Sequence, residues 1–245
     1  MPVIAVANRK GGCGKSTLAT HIAAWCAHQQ GWSAMLGDID RQQSVRSWIT
    51  RRPAHVPEVR TWAVNNGAVF RPPKGTTHVI LDTPGGMHGH ELAKLIMFVD
   101  ALIVPVGPSL FDRDSTADFL AELMRLPKVA SGRCKVTVVG QRWPENVEVR
   151  AQLHEAWKAK STLPLTTVVR DSLLYHKTSE RGISLFDLPP SPEVQEGLTD
   201  WPALLQWLDQ AFVQLRPEAT TQPAQTVANA QQALARTTSQ ALESR

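Results

Sequence analysis

Lys10-Gly11-Gly12-Cys13-Gly14-Lys15-Ser16-Thr17 is the stretch on which the reading of this chain turns. It lies between a short, bounded apolar run, Val3 to Ala7, and an Ala-rich segment, Leu18 to Gln30, that Gly31 closes. The first has the length of a buried strand and the second the pattern of a helix. Glycines in a strand-to-helix turn let backbone N–H groups approach phosphate oxygens with no Cβ in the way. The helix N-terminus adds its partial positive charge. In such a turn Lys15 can reach β- and γ-phosphates, Ser16 can offer a hydroxyl to Mg²⁺, and Thr17 can reach an α-phosphate. A glycine turn that binds nothing is the alternative. The position between strand and helix, which the phosphate motif requires, argues against it.

One departure is informative. An ordinary phosphate loop has a glycine five residues before Gly14, where this chain has Arg9, and Lys10 follows. A second lysine beside the phosphates must fold back on its own nucleotide or point outward. Pointing outward makes sense if the nucleotide of another subunit lies there.

Outward from this loop the chain alternates. Strands are expected at Ser33 to Leu36, near Val59 to Trp62, and at His78 to Leu81, Ala101 to Val106, Lys135 to Val139 and Leu165 to Val169. Helices are expected at Gln42 to Thr50, Gly89 to Phe98, Asp112 to Leu126, Val147 to Lys160, Leu173 to Arg181 and Trp201 to Leu215. Strands alternating with helices imply an α/β fold, a mostly parallel sheet covered by helices on both faces. Pro53 to Pro73 reads poorly beyond its one strand. Residues 1–215 are expected to form one P-loop domain. From Pro217 the chain is Ala, Gln, Thr and Ser with few large apolar residues, and 216–245 is expected to be a tail without a core.

Composition sets bounds. The 245 residues are 42% hydrophobic and 20% charged, enough for one large core and against global disorder. With 26 Lys and Arg against 22 Asp and Glu the net charge is +4, and the pI is near 9.1, which permits a polyanionic partner without requiring one. Three cysteines, Cys13, Cys26 and Cys134, stand far apart. They form no disulfide framework and no CxxC pair for zinc or a cluster, as expected of a reducing cytoplasm. The N-terminus lacks a charged secretory n-region, and no run reaches the roughly 18 apolar residues of a membrane span. Of eight tryptophans, Trp25, Trp48, Trp62, Trp143, Trp157, Trp201 and Trp207 are expected in core or dimer packing, with Trp32 more exposed.

Lys10 to Thr17 resembles the deviant Walker A motif of the ParA/MinD family of ATPases. Two further motifs fall at that family's spacing. Gly37-Asp38-Ile39-Asp40 looks like its Walker A′ segment, and Asp82-Thr83-Pro84-Gly85-Gly86 like its Walker B and switch II segment. The stretch from Thr166 to Phe186 is similar to its C-terminal strand, helix and G-x-S-x-F segment. The resemblance covers roughly Val3 to Leu188. It implies that ATP is bound by Lys10, Gly11, Gly12, Cys13, Gly14, Lys15, Ser16 and Thr17, with Asp82. It implies that Lys10 crosses a nucleotide-sandwich homodimer to the partner's phosphates, that Asp38 positions the attacking water, and that Ser16 and Asp82 hold Mg²⁺, the latter through water. The alternative for Asp38 and Asp40 is a helix N-cap pair. The family usually has proline where this chain has Arg41.

Relatives within the resemblance are separated by what the chain lacks. Nitrogenase iron proteins need two cluster cysteines beyond the loop, and cluster-scaffold ATPases a late CxxC. MinD-like proteins end in a basic amphipathic helix, whereas Val227 to Arg245 holds only Arg236 and Arg245. A loop that begins at residue 10 leaves no room before it for the DNA-binding domain of larger partition proteins. A small ParA-type protein remains. Such a protein is expected to be cytoplasmic and nucleoid-associated, to bind DNA non-specifically as an ATP dimer, and to answer to a ParB-like or cargo-adaptor partner. The expected DNA contacts are Arg142, Arg150, Arg170, Lys177 and Arg181, with Lys158 and Lys160 as further candidates, and binding through them should depend steeply on salt. The rival readings are a nucleotide-switched recruitment ATPase without DNA binding and a membrane-cycling, MinD-like ATPase.

Overall fold

Apolar runs too short for helices, each followed by a helical segment, leave parallel pairing as the natural outcome. A computed structural model describes residues 1–40, 43–61 and 72–215 and bears this out. Arg41, Trp62 and the segment 216–245 lie outside the described residues. The strands are Val3–Val6 (β1), Ala34–Asp38 (β2), His78–Asp82 (β3), Ala101–Val106 (β4), Lys135–Trp143 (β5) and Leu165–Arg170 (β6). They form a six-stranded sheet in the order β2-β3-β1-β4-β5-β6, with every pairing parallel.

The helices are Lys15–His28 (α1), Ser44–Arg51 (α2), Gly89–Phe98 (α3), Leu110–Met124 (α4), Pro127–Ala130 (α5), Val147–Lys158 (α6), Leu173–Glu180 (α7), Pro192–Leu198 (α8) and Pro202–Leu215 (α9). Alternation along the strands divides the core into two layers. Ile4, Val6, Leu36, Ile80, Ile103 and Val139 face one layer with Leu18 and Ile22 of α1 and Leu204 and Leu208 of α9. Ala5, Val79, Leu81, Leu102, Val104 and Val138 face the other with Leu92 of α3, Phe119 of α4 and Trp157 of α6. Helix α1 is buried on most of its circumference because it lies between the sheet and the later helices. Its small residues Ala19, Ala23 and Ala24 permit that close packing.

Tertiary context corrected several expectations. Strand β5 runs four residues beyond Val139, because Gly140 and Gln141 continue the pairing despite their polarity. Among the described residues, the strand near Val59 reduces to a single parallel bridge between Arg60 and Met35. Helix α4 starts at Leu110, two residues early, where the Ser109 hydroxyl accepts from the Asp112 amide at 3.1 Å. Helices α5 and α8 were not expected; each opens with proline at its first turn and is too short to show a period. Trp143, Trp157 and Trp201 are fully buried, each indole N–H bonded to an oxygen. Trp32, expected to be more exposed, is half-buried with its ring stacked on His78, centroids 3.9 Å apart.

Candidate functional site

In a parallel sheet, ligands bind beyond the carboxyl ends of the strands. Three neighbouring strands place the three motifs there. β1 runs into the glycine loop, β3 ends at Asp82, and β2 ends at Asp38, paired in register with Asp82. Gly12 and Gly14 have φ +70 and +88, and a Cβ on Gly14 would lie 2.4 Å from Gln141 Cγ. Only glycine fits the second position, on both counts.

The loop is braced from below. Asn8, fully buried, donates to the Pro105 carbonyl at 2.7 Å and the Thr116 hydroxyl at 2.8 Å, and its oxygen accepts from the Lys10 amide at 3.0 Å. The Lys10 carbonyl in turn accepts from Lys15 Nζ at 3.1 Å and Cys13 Sγ at 3.2 Å. Lys15 is 7% exposed and has no carboxylate ion-pair partner among the described residues. A buried cation satisfied only by a carbonyl is costly unless an anion arrives.

Behind Lys15, the Ser16 hydroxyl donates to Asp82 Oδ2 at 2.6 Å. Asp82 Oδ1 is buried and has no hydrogen-bond partner among the described residues. Burial, reinforced by the nearby Asp38 and Asp40 charges, pushes the Asp82 carboxyl up to about 7 although Ser16 and Lys15 pull the other way. An orphaned carboxylate oxygen beside a serine hydroxyl is a donor set suited to a hard divalent cation such as Mg²⁺. Asp38 accepts from the amides of Asp40 and Val45 at 3.0 Å and of Arg46 at 3.3 Å. It therefore caps α2, and of the two aspartates weighed as caps it is Asp38 whose carboxylate receives these amides. Its carboxyl is nonetheless raised, because burial outweighs those amides.

The segment after Asp82 is tied to the loop. The Gly86 amide donates to the Arg9 carbonyl at 2.7 Å, and the Cβ position of Gly85 lies 3.3 Å from Gly11 Cα. The Arg9 guanidinium pairs with Glu122 of α4, whose other oxygen accepts from the Gly89 amide at 2.6 Å. Arg9, the residue in place of the usual glycine, thus joins the loop to both neighbouring elements.

Above the loop opens a cleft of about 540 Å³. One wall is Gly11, Gly12, Gly14, Lys15, Ser16 and Thr17; the other carries Gln141, Arg142, Arg170, Asp171, Tyr175 and His176. Cys13, Lys10, Asp38 and Asp82 are not on its wall. The Lys10 side chain is half-buried and forms no ion pair among the described residues.

The basic residues grouped from sequence differ in what they touch. Arg142 and Arg170 lie at the cleft. Arg170 is 12% exposed, and it donates to both Asp200 oxygens at 2.8 Å and to Glu196 at 2.5 Å, which raises its pKa and occupies its donors. This arginine is a structural ion pair, a partnership thirty residues away in sequence. Lys158 pairs with Glu155 at 2.7 Å, and Lys160 with Asp114. Arg150 is half-buried, while Lys177 and Arg181 are exposed at α7. Sequence reasoning missed Arg46 and Arg51 on the exposed side of α2; Arg51 Nη2 reaches the Ser179 carbonyl at 3.3 Å, beside the segment with Lys177 and Arg181. It missed Asn8 and Gln141 as well. Alternation of apolar residues with Arg46 and Arg51 over one α2 face was the available signal for the first pair. Nothing local marks the second.

Comparison with known proteins agrees with this geometry. Residues 4–169 match the family model for the CobQ/CobB/MinD/ParA nucleotide binding domain. The chain is 28% identical over 193 residues to maintenance of carboxysome distribution protein A from Halothiobacillus neapolitanus, covering 76% of this chain and 87% of that one. It is 31% identical over 156 residues to the Gloeobacter kilaueensis protein of that name, covering 62% and 71%. Among solved structures, an ATP complex of Cyanothece McdA superposes with a TM-score of 0.62 at 16% identity, over 86% of this chain and 96% of that one. The MinD cell division protein of Aquifex aeolicus gives 0.60 at 15%, over 85% and 98%.

Proposed function

Since the chain belongs to the CobQ/CobB/MinD/ParA nucleotide-binding domain family, we propose that it is a ParA-like ATPase that dimerises on ATP and positions a cargo over the nucleoid. The observation that carries this reading is a phosphate loop whose second lysine is off the wall of its own cleft while Lys15 lines it. Each Lys10 would reach the nucleotide of the partner subunit. Lys15 and the loop amides bind the triphosphate, Asp38 orients water toward the γ-phosphorus, and Ser16 with Asp82 would hold Mg²⁺. The ion, when bound, neutralises charge on the β- and γ-phosphate oxygens. Phosphoryl transfer needs mostly positioning and charge, so a lysine supplied in trans makes turnover depend on dimerisation. Such an enzyme times an assembly and does not process bulk substrate.

The names of the two curated relatives favour a protein assembly over a plasmid or chromosome as cargo, with a cargo-bound adaptor as the stimulating partner. Duplex DNA would be met by Lys177 and Arg181 with Arg46 and Arg51, not by Arg170. With ATP and Mg²⁺ the protein should shift duplex DNA, and the shift should fade steeply as salt rises. No ATP-dependent shift at low salt would favour the recruitment reading without DNA. Among the described residues no helix is long and apolar enough to cross a membrane.

Two variants test the chemistry. Lys10→Ala should bind ATP as a monomer yet show no ATP-dependent dimer by light scattering; a normal dimer would refute the trans lysine. Asp38→Asn should cut phosphate release about 100-fold and accumulate the ATP dimer. Its amide oxygen can still accept from the Val45 and Arg46 amides, but its NH2 then faces the Asp40 amide, so it should melt somewhat below the parent. Asp38→Ala should lose in addition about 1 kcal/mol with the cap. Undiminished turnover in Asp38→Asn would remove the assigned role.

A further inference from the structure

Strand β5 ends in an irregularity. Its pairing with β6 slips between Gln141 and Trp143, and the residue at the slip, Arg142, has φ +56. Residues other than glycine rarely adopt this conformation, and it persists where the surroundings impose it. Two anchors impose it here. Trp143 is fully buried, its indole N–H donating to the Val106 carbonyl at 3.1 Å. Gln141 is 2% exposed, and its side chain is the one packed against Gly14. Between them Arg142 is turned out onto the cleft wall.

Its surroundings fit an anion. The charges of Lys15 and Arg142 both reach Cys13 in the phosphate loop, although burial is the larger effect and, with the Asp112 carboxylate, leaves that thiol raised. Among the described residues no carboxylate forms an ion pair with Arg142, whereas Arg170 on the same wall is saturated by acids. A guanidinium that the bulge places on the cleft wall, with no ion pair to an acid among the described residues, suits the oxygens of a polyphosphate.

We propose that Arg142 binds the phosphates of the nucleotide in its own subunit's cleft. The proposal rests on the nucleotide reading above and takes this arginine away from any DNA surface. Arg142→Gly isolates the side chain, since glycine adopts φ +56 without strain. In the full-length protein with Mg²⁺, this variant should bind a fluorescent ATP analogue about tenfold more weakly. It should melt no lower than the parent and, saturated with ATP, bind duplex DNA as the parent does. Arg142→Lys should recover affinity to within about threefold. Parental ATP affinity in Arg142→Gly would overturn the proposal, and DNA binding lost alongside it would return Arg142 to the DNA surface. Weaker binding accompanied by a lower melting temperature would overturn it in favour of a structural role. If the parent itself does not bind ATP, the nucleotide reading fails first.

Discussion

Lys15→Ala is expected to weaken ATP binding at least ~100-fold, equivalent to about 2.7 kcal/mol. The ammonium group is buried at the cleft, and its one hydrogen-bond acceptor among the described residues is the Lys10 carbonyl at 3.1 Å. Hydrogen bonds between ionised groups are among the stronger kinds, and a water-poor site enlarges them. The same variant should leave the nucleotide-free protein as stable as the parent or more so, because the cost of burying an ammonium group with no ion-pair partner among the described residues is removed and only a weaker attraction for Asp82 is lost. Two readings from one thermal melt therefore test the claim. Nucleotide-free Lys15→Ala should melt no lower than the parent, and the upward shift that ATP and Mg²⁺ give the parent should be absent. An intact ATP-induced shift would show that the phosphates lie elsewhere.

Gly182→Ala is expected to have the largest effect on stability. Gly182 follows α7 at φ +68, and a Cβ there would lie 2.5 Å from the Arg51 carbonyl carbon and the Arg52 nitrogen and 2.7 Å from the Trp48 oxygen. All three are backbone atoms, so no rotamer change relieves the overlap. The left-handed conformation costs alanine roughly 1–2 kcal/mol, and forcing an added carbon into a packed site roughly 1–3 more. At about 2–4 °C per kcal/mol for a domain of this size, the melting temperature should fall by roughly 10 °C. Gly132→Ala is the control. Gly132 has a similar φ of +70, but its nearest neighbour is Lys135 Nζ at 3.9 Å. Only the conformational cost applies there, so equal losses in the two variants would refute the packing argument.

The nucleotide loop, the alternation and the parallel sheet were legible because each depends on short-range features. A strand, a glycine turn and a helix cap are written within a few consecutive residues, and β1 with α1 reads directly from Val3 to His28. What stayed hidden depends on residues distant in sequence. Arg170 looked like a free surface cation because Asp200, its partner, belongs to the turn after α8. Asn8 gives no sign of holding β4 and α4 to the loop until the sheet brings Pro105 and Thr116 beside it. Gln141 and Arg142 read as the polar end of a strand, although the bulge turns them into cleft wall. For Asp38 the sequence left a helix cap and a water-orienting carboxylate as alternatives. The bonds from the Val45 and Arg46 amides give the cap, a partnership that the sequence does not distinguish from the other role.

Helix α2 is clamped like a short beam. Asp38 grips its first turn, and Gly182, Ser179 and the Asp187 carboxylate grip Arg51 and Arg52 at its far end. Eight residues of helix span only about 12 Å and bend little over that length. A nudge at the Asp187 end therefore shifts the footing of Asp38 instead of being absorbed along the way. Screens for altered turnover should accordingly return hits around residues 182–187, off the cleft wall, among proteins that remain fully folded.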